Sequence, residues 1–442
     1  MNKRIDGSDR KIDPVRRKAL KADGTVVVDD RVETGPTDLA FTEWAAAGLT
    51  VPDLPALRAY RLSRLQAEIQ RHDCAGLLLF DPINIRYATD SSNMQLWTAH
   101  NPARAAFVPP AGKAVLWDFM NCTHLTDHLP LIGEVRHGAS FFYFETGDQT
   151  AAAARAFAGQ IYDLVRHYGG KNRRLAVDRM EHAGFVALAD LGVACTDGQP
   201  LTELARAVKN TNEIAAIRCA IHACESAMAE MRQQMEPGLS ESAVWAALHA
   251  GNIRPGGEWI EARLMASGPR TNPWFQECGP RRIKAGDLLA FDTDMVGTYG
   301  YCCDISRTWL VGDGTPTATQ KRLYQVAYDH IMTNIDRLEP GMRFGDMSRV
   351  AHRLPAAYRA RRYPVLAHGV GLCDEYPAIR YPEDVDTHGY GGAFEVGMTL
   401  SVGAYICAVD GKEGVKLEEQ VVITDSGVVP LSCYPYEAAF LS

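Results

Sequence analysis

The sequence predicts an α/β protein built in two parts. Its 442 residues exceed what one average hydrophobic core organises. The first half alternates helical-period stretches with short apolar runs of strand length, and the second half repeats a helix, Glu-Pro-Gly, helix unit about a hundred residues apart.

Residues 1–50 are polar, charged and poor in periodicity, which reads as an arm that orders on a partner subunit. From Leu54, LRAYRLSRLQAEIQRHD has helical spacing, and Leu77 to Phe80 then reads as a buried strand stopped by Asp81, Pro82 and Asn84. The following NIRYATDSSNMQLWTAHNP is expected to be loop-like. A strand is expected at Ala114 to Asp118, a helix at Gln149 to Tyr168 and a strand at Arg174 to Asp178. A long helix from Glu213 to Gln234 keeps a stripe of Ile214, Ile217, Ile221, Cys224, Ala227 and Met231. The boundary is placed near Lys209, giving an arm at 1–50, an N-terminal α/β domain at 51–208 and a C-terminal domain at 209–442. Within the latter, Met235-Glu-Pro-Gly-Leu239 and Leu338-Glu-Pro-Gly-Met342 each follow one helix and precede another, expected at Glu241 to Ala250 and at Asp346 to Tyr358. The shared apolar flanks favour duplicated halves over two chance Pro-Gly stops.

Apolar content of 46% and charged content of 23% are those of an ordinary globular chain, and a net charge of -8 without a Lys/Arg stripe argues against nucleic acid as partner. The N-terminus lacks the apolar core of a secretory leader, and no window reaches the length of a membrane span. A cytoplasmic protein is expected. Eleven cysteines without a CxxC pair suggest reduced thiols, neither a disulfide framework nor a zinc knuckle.

The chemistry concentrates in FDTDMVGTYGYCCDISR, from Phe291 to Arg307. Asp292 and Asp294 lie two apart beside an apolar run, so on a strand both carboxylates share a face. Gly297, Thr298, Tyr299 and Gly300 have turn composition and would fold a second strand back, bringing Asp304 to the pair. Asp-rich turns are commonly solvated loops, but these aspartates are flanked by Phe291, Tyr299, Tyr301, Ile305 and Trp309. Three carboxylates in apolar surroundings require a cation. His368, in AHGVGLCDEYP, and Glu418, on a β-patterned stretch where Lys416, Glu418 and Gln420 share a face, are the remaining candidates. The set is oxygen-rich with one nitrogen, suited to Mn, Fe, Co or Zn.

The order FDTD, CDISRT, HGVG, then a strand with an inward glutamate resembles the metallopeptidase M24, or pita-bread, family, and the preceding α/β half is similar to its two-domain creatinase/prolidase-like members. NIRYATDSSNMQLWTAHNP, GGEWIEARLMASGPRTNPWFQECGP, FDTDMVGTYG and HGVGLCDEYP resemble, more narrowly, the DddP-type dimethylsulfoniopropionate lyases. That resemblance implies a carbon-sulfur lyase that cleaves a small zwitterionic sulfonium substrate to dimethyl sulfide and acrylate by base-initiated β-elimination. It implies Asp292, Asp294, Asp304, His368 and Glu418 as ligands of a divalent transition metal, iron foremost. It also implies Asp374 as general base and Tyr363 as a pocket tyrosine, while the aperiodic first fifty residues favour a homodimer. Trp97, Trp274 and Tyr376 are the aromatic candidates for holding the sulfonium, whereas Phe275 is read as core packing.

One position departs from the family. The strand after GMTL carries a glutamate ligand there, and GMTLSVGAYI places Gly403 at that point. Three consequences compete: a weakened or singly occupied site at His368, a substitute ligand from Asp410 or Glu413, or an open coordination position. Gly403 also keeps two alternatives alive, an M24-type hydrolase of X-Pro peptides or small amide or guanidino compounds, and an impaired paralogue.

Overall fold

A computed structural model describes residues 35–442. The first 34 residues of the expected arm lie outside the described residues. In the remainder of that arm, helix Asp38–Ala46 buries Ala40 and Trp44 against Cys219, with Tyr299 alongside. Tertiary packing, not periodicity, orders this stretch.

The N-terminal half is a six-stranded sheet. Its central strand Gly76–Leu79 runs antiparallel to Ala105–Val108 and parallel to Arg174–Val177. Ala114–Trp117 and Ile132–Arg136 extend one edge, and Ala194–Asp197 the other. The central strand is apolar throughout because both faces are covered. Leu77 and Leu79 pack with Leu62, Leu65 and Ile69 of helix Leu54–Arg71, while Leu78 and Phe80 face Phe157 and Ile161 of helix Thr150–Gly169.

The stretch expected to be a loop after Phe80 forms two short helices, Pro82–Thr89 and Gln95–His100. Asp81 and Pro82, read as strand stops, also start the first helix. The Asp81 carboxylate accepts from the N–H groups of Ile83 and Asn84, and proline fits the first helical turn.

The C-terminal half wraps helices around two larger sheets and a small one in which Met295–Val296 lies between Trp259–Ile260 and Cys302–Cys303. In one of the larger sheets, Leu288–Asp292 lies between Met265–Ser267 and Ser306–Leu310. In the other the order is Asp374–Ile379, Ala367–Val370, Thr399–Ile406, Val415–Thr424 and Gly427–Pro430. Helix Thr211–Gln234 opens on a capping box in which Asn210 and Glu213 satisfy each other's N–H groups. The two Glu-Pro-Gly units follow this helix and helix Ala318–Arg337. The helix after the second is shorter than expected, Phe344–Val350, with a separate turn at Ala356–Arg359. Pro355 accounts for the break, since it disfavours helix at the preceding residue and starts the next turn. Among the described residues no helix is long and apolar enough to cross a membrane.

The halves are joined through buried charge. Helix Gln199–Ala207 carries Arg206, whose Nε donates to Glu375 Oε2 at 2.9 Å, and Lys209 just beyond donates to Glu375 Oε1. Arg206 also donates to Asn84 Oδ1, and Asn84 Nδ2 donates to Asp178 at 3.0 Å. A buried carboxylate with two cations and full hydrogen bonding is stable where a lone one is not. This clamp holds strand Asp374–Ile379, one end of which is Asp374.

Candidate metal centre and substrate pocket

Asp292 ends its strand, directly opposite Ser306. Asp294 does not continue that strand as the spacing suggested. It sits in the left-handed region (φ 37°), before the short strand Met295–Val296 that pairs with Cys302–Cys303. The intervening Thr293 explains the break. Its hydroxyl donates to Cys303 C=O at 3.0 Å and accepts from Ile305 N–H at 2.9 Å, so a side chain replaces ladder bonds. The predicted return strand therefore brings Asp304 back to the pair.

Two overlapping groups result, Asp304 with His368 and Glu418, and Asp292 with Asp294 and Asp304, each with ligand atoms within 4.8 Å of one another. His368 Nε2 lies 3.3 Å from Asp304 Oδ2 and 3.7 Å from Glu418 Oε1. Asp304 Oδ1 and Glu418 Oε1 are buried without a hydrogen-bond partner. Orphaned carboxylate oxygens aimed into an acidic cluster beside an imidazole fit a divalent cation.

The electrostatics agree. Burial pushes the Asp304 carboxyl well above its ordinary range, with Glu418 and Asp292 adding repulsion. Burial, then Asp292 and Asp374, does the same to Asp294. Burial would raise Glu418 too, but Lys416 and His368 outweigh it and hold this carboxyl below its usual range. Against the opposing effect of burial, Asp374, Asp304 and Glu418 hold the His368 imidazolium well above its ordinary value.

Lys416 is the residue the sequence reading left without a role. Its fully buried ammonium lies 3.0 Å from Asp292 Oδ2 and 2.9 Å from Ser306 Oγ, and contacts Glu418 Oε2. One cation of the cluster is thus supplied by the chain itself. The sequence places Lys416 on the face of Glu418, and the burial of both faces of Val415–Thr424 makes that neighbour an internal counter-ion.

Gly403 lies directly across the ladder from Glu418, and a Cβ added there would collide with Glu418 Oε1. The Glu418 carboxylate leans over the space a side chain at 403 would take. The proposed substitutes do not reach in. Glu413 accepts from Leu288 N–H at 2.7 Å and Gln320 Nε2 at 2.9 Å, and Asp410 is exposed in the loop beyond the strand.

Asp374 Oδ1 is 3.6 Å from His368 Nδ1, and half of its side-chain surface remains open. Burial raises its carboxyl above the ordinary value, His368 opposes this, and Glu418 adds to it. Glu261 is a second raised carboxyl, pushed up to about 7 by burial and then by Asp374, and its backbone N–H donates to Asp294 C=O at 3.0 Å. The sequence offered only its place in GGEWIEARLMASG as a signal.

Of the aromatic candidates, Tyr363 and Trp274 share one small cluster with Tyr405, Cys407 and Ala290. The Tyr363 ring centroid lies 4.4 Å from Lys416 Nζ. Trp97 is not brought to this site within the chain. It sits on helix Gln95–His100 against Phe119, at 5.8 Å between centroids. Tyr376 likewise stacks on Tyr390 and meets Phe344 edge-on, in a separate core. The reading of Phe275 as core was wrong. Its ring is 57% exposed and stacked on Tyr363 at 5.6 Å, and its backbone is left-handed (φ 65°). An aromatic residue held there costs on the order of 1–3 kcal/mol, and such strain gathers at functional sites.

Comparison with known proteins accords with this geometry. The Creatinase/Prolidase N-terminal domain pattern matches residues 61–208, and the Metallopeptidase family M24 pattern residues 215–425. The prolidase from Pyrococcus horikoshii shares the fold (TM-score 0.68, 17% identity, 85% of this chain and 99% of that one). The Xaa-Pro dipeptidase from Bacillus anthracis does so too (TM-score 0.67, 19% identity, 85% and 98%). In sequence the chain is far nearer to two proteins named dimethylsulfoniopropionate lyase DddP. It is 49% identical to that of Roseovarius nubinhibens over 98% of both chains. It is 46% identical to that of Roseobacter denitrificans over 100% of this chain and 99% of the other. The chain belongs to metallopeptidase family M24 in its two-domain creatinase/prolidase-like form and, within it, to the family of the DddP dimethylsulfoniopropionate lyases.

Proposed function

We propose that this protein cleaves dimethylsulfoniopropionate to dimethyl sulfide and acrylate. The observation that carries the reading is Asp374, a half-open carboxylate with a raised proton affinity, 3.6 Å from His368 at the edge of a buried cation-demanding cluster. Two relatives of nearly full length and close to half identity bear the lyase name.

Asp292, Asp294, Asp304, His368 and Glu418 would hold a divalent metal. When bound, it supplies positive charge that stabilises the substrate carboxylate as negative charge develops on it. Resemblance alone favours iron for that metal. Asp374 takes the proton from the carbon next to the carboxylate. The electron pair forms the carbon-carbon double bond, and the carbon-sulfur bond breaks with its pair leaving on dimethyl sulfide. A base works best with its pKa near the working pH, and the raised carboxyl of Asp374 moves in that direction. His368 faces Asp374 from one side and the buried carboxylates from the other, so it orients the base.

The decisive experiment is a headspace assay for dimethyl sulfide on the metal-loaded protein and Asp374→Asn. The parent should release dimethyl sulfide, and the variant should lose about 10² to 10⁴ in rate, the usual share of general base catalysis. Full activity in the variant removes Asp374 from the role. Hydrolysis of X-Pro dipeptides without dimethyl sulfide overturns the lyase reading in favour of a hydrolase.

Gly403 supports a second statement, that metal occupancy at His368 is lower than a further carboxylate would give. A homodimer in the cytoplasm completes the reading. Met94, Leu96, Trp97 and Met120 expose apolar surface around one end of the N-terminal sheet, suited to a second copy, and all eleven cysteines are free.

A further inference from the structure

We propose that Phe275 is the aromatic face that receives the cationic end of the substrate, and so sets specificity for a sulfonium over a neutral group. The inference deepens the lyase reading and rests on it for the substrate class.

Tyr363, whose ring meets Lys416 of the metal cluster, packs with Trp274 and Tyr405, and Phe275 stacks on it. A sulfonium needs an accessible ring face. Tyr363 already has the Lys416 ammonium 4.4 Å from its centroid, so a second cation on that face would meet a fixed positive charge. Trp274 is 6% exposed and packed on Tyr405, which is itself 2% exposed, so neither offers a free face. Phe275 continues the stack outward from Tyr363 and alone among the four is largely open, at 57%.

Its backbone is the second, independent observation. A phenylalanine at φ 65° is held against its preference, and the surroundings enforce it. Trp274 is buried immediately before it, and Asn272 pins the same loop by donating to Ala408 C=O at 2.9 Å and Gly411 C=O at 2.7 Å. The neighbours hold the backbone, but the ring they present is more than half open, and a ligand seated on it would give that strain a use.

Two variants and two probes test this. 3-(Trimethylammonio)propanoate carries the cation but no sulfide leaving group, whereas 4-methylpentanoate has a similar shape without the charge. Calorimetry on the metal-loaded parent should show the cationic probe binding more tightly. F275L should reduce that preference by roughly tenfold while leaving 4-methylpentanoate unchanged. F275G should lose the preference equally and melt at the same or a higher temperature, since glycine tolerates the left-handed backbone. The proposal is overturned if the parent does not prefer the cationic probe or if F275L keeps the preference. It is also overturned if F275G melts lower with both probes weakened alike, or if either variant changes the oligomeric state, each of which marks a structural role. Failure of the lyase reading would register separately, as absence of dimethyl sulfide with the Phe275-dependent preference intact.

Discussion

Lys416 shows how one side chain changes the account of a site. Removing its ammonium by Lys416→Met leaves Asp292 and Glu418 facing each other without their partner. Breaking a buried pair costs about 3–5 kcal/mol, so the variant should unfold at lower denaturant in the presence of a chelator. A divalent ion should recover more stability in the variant than in the parent. An unchanged midpoint in chelator would show that the ammonium does not neutralise the cluster. The candidate ligands that the fold brings together were legible in sequence because carboxylates and an imidazole set among apolar residues demand an explanation. Lys416 and Phe275 were not, since a lysine near a glutamate and a phenylalanine after a tryptophan each have an ordinary reading. Their meaning lies in burial and backbone angle, which sequence does not display.

The pairing of strands Thr399–Ile406 and Val415–Thr424 decides what Gly403 means. Four carboxylates and one ammonium leave three net negative charges, and Gly403→Glu would make four, matching two divalent ions. The variant must first displace the Glu418 carboxylate from above residue 403. We therefore expect Gly403→Glu to destabilise the metal-free protein, to raise metal content per chain and to gain more in melting temperature from metal than the parent does. Elemental analysis and paired melts check this, and unchanged metal content would count against it. Strands and long helices were readable because their apolar periods are strong. Asp294 was misplaced by a hydroxyl that substitutes for ladder bonds, and Gln95–His100 was missed because six residues carry too little period to register.

Over the whole molecule, the raised carboxyls link stability to pH. In the metal-free fold Asp292, Asp294 and Asp304 bind protons more tightly than in the unfolded chain, chiefly through burial. Their stabilising contribution is complete below the unfolded value of about 4 and is lost as pH rises through the raised values. Glu418, held low, acts in the opposite sense and limits tolerance to strong acid. The chelated protein should melt at progressively lower temperature as pH rises above the unfolded carboxylate value of about 4, and saturating metal should abolish that decline by replacing the protons. Melts that are flat with pH in chelator would refute the linkage. The two-part architecture was visible in the sequence, yet its seam was not, because it is made of charges far apart in the chain.

That seam also bears on how the protein can be cut. A recombinant fragment starting at residue 209 would retain every candidate metal ligand and Asp374, but it would part Glu375 from Arg206. Glu375, next to the proposed base, would then keep one of its two cations, and that one at a frayed terminus. Such a fragment should express as insoluble material or with a displaced Asp374. On that expectation the N-terminal half serves as a scaffold for the C-terminal one, and a domain exchange should carry helix Gln199–Ala207 along with strand Asp374–Ile379.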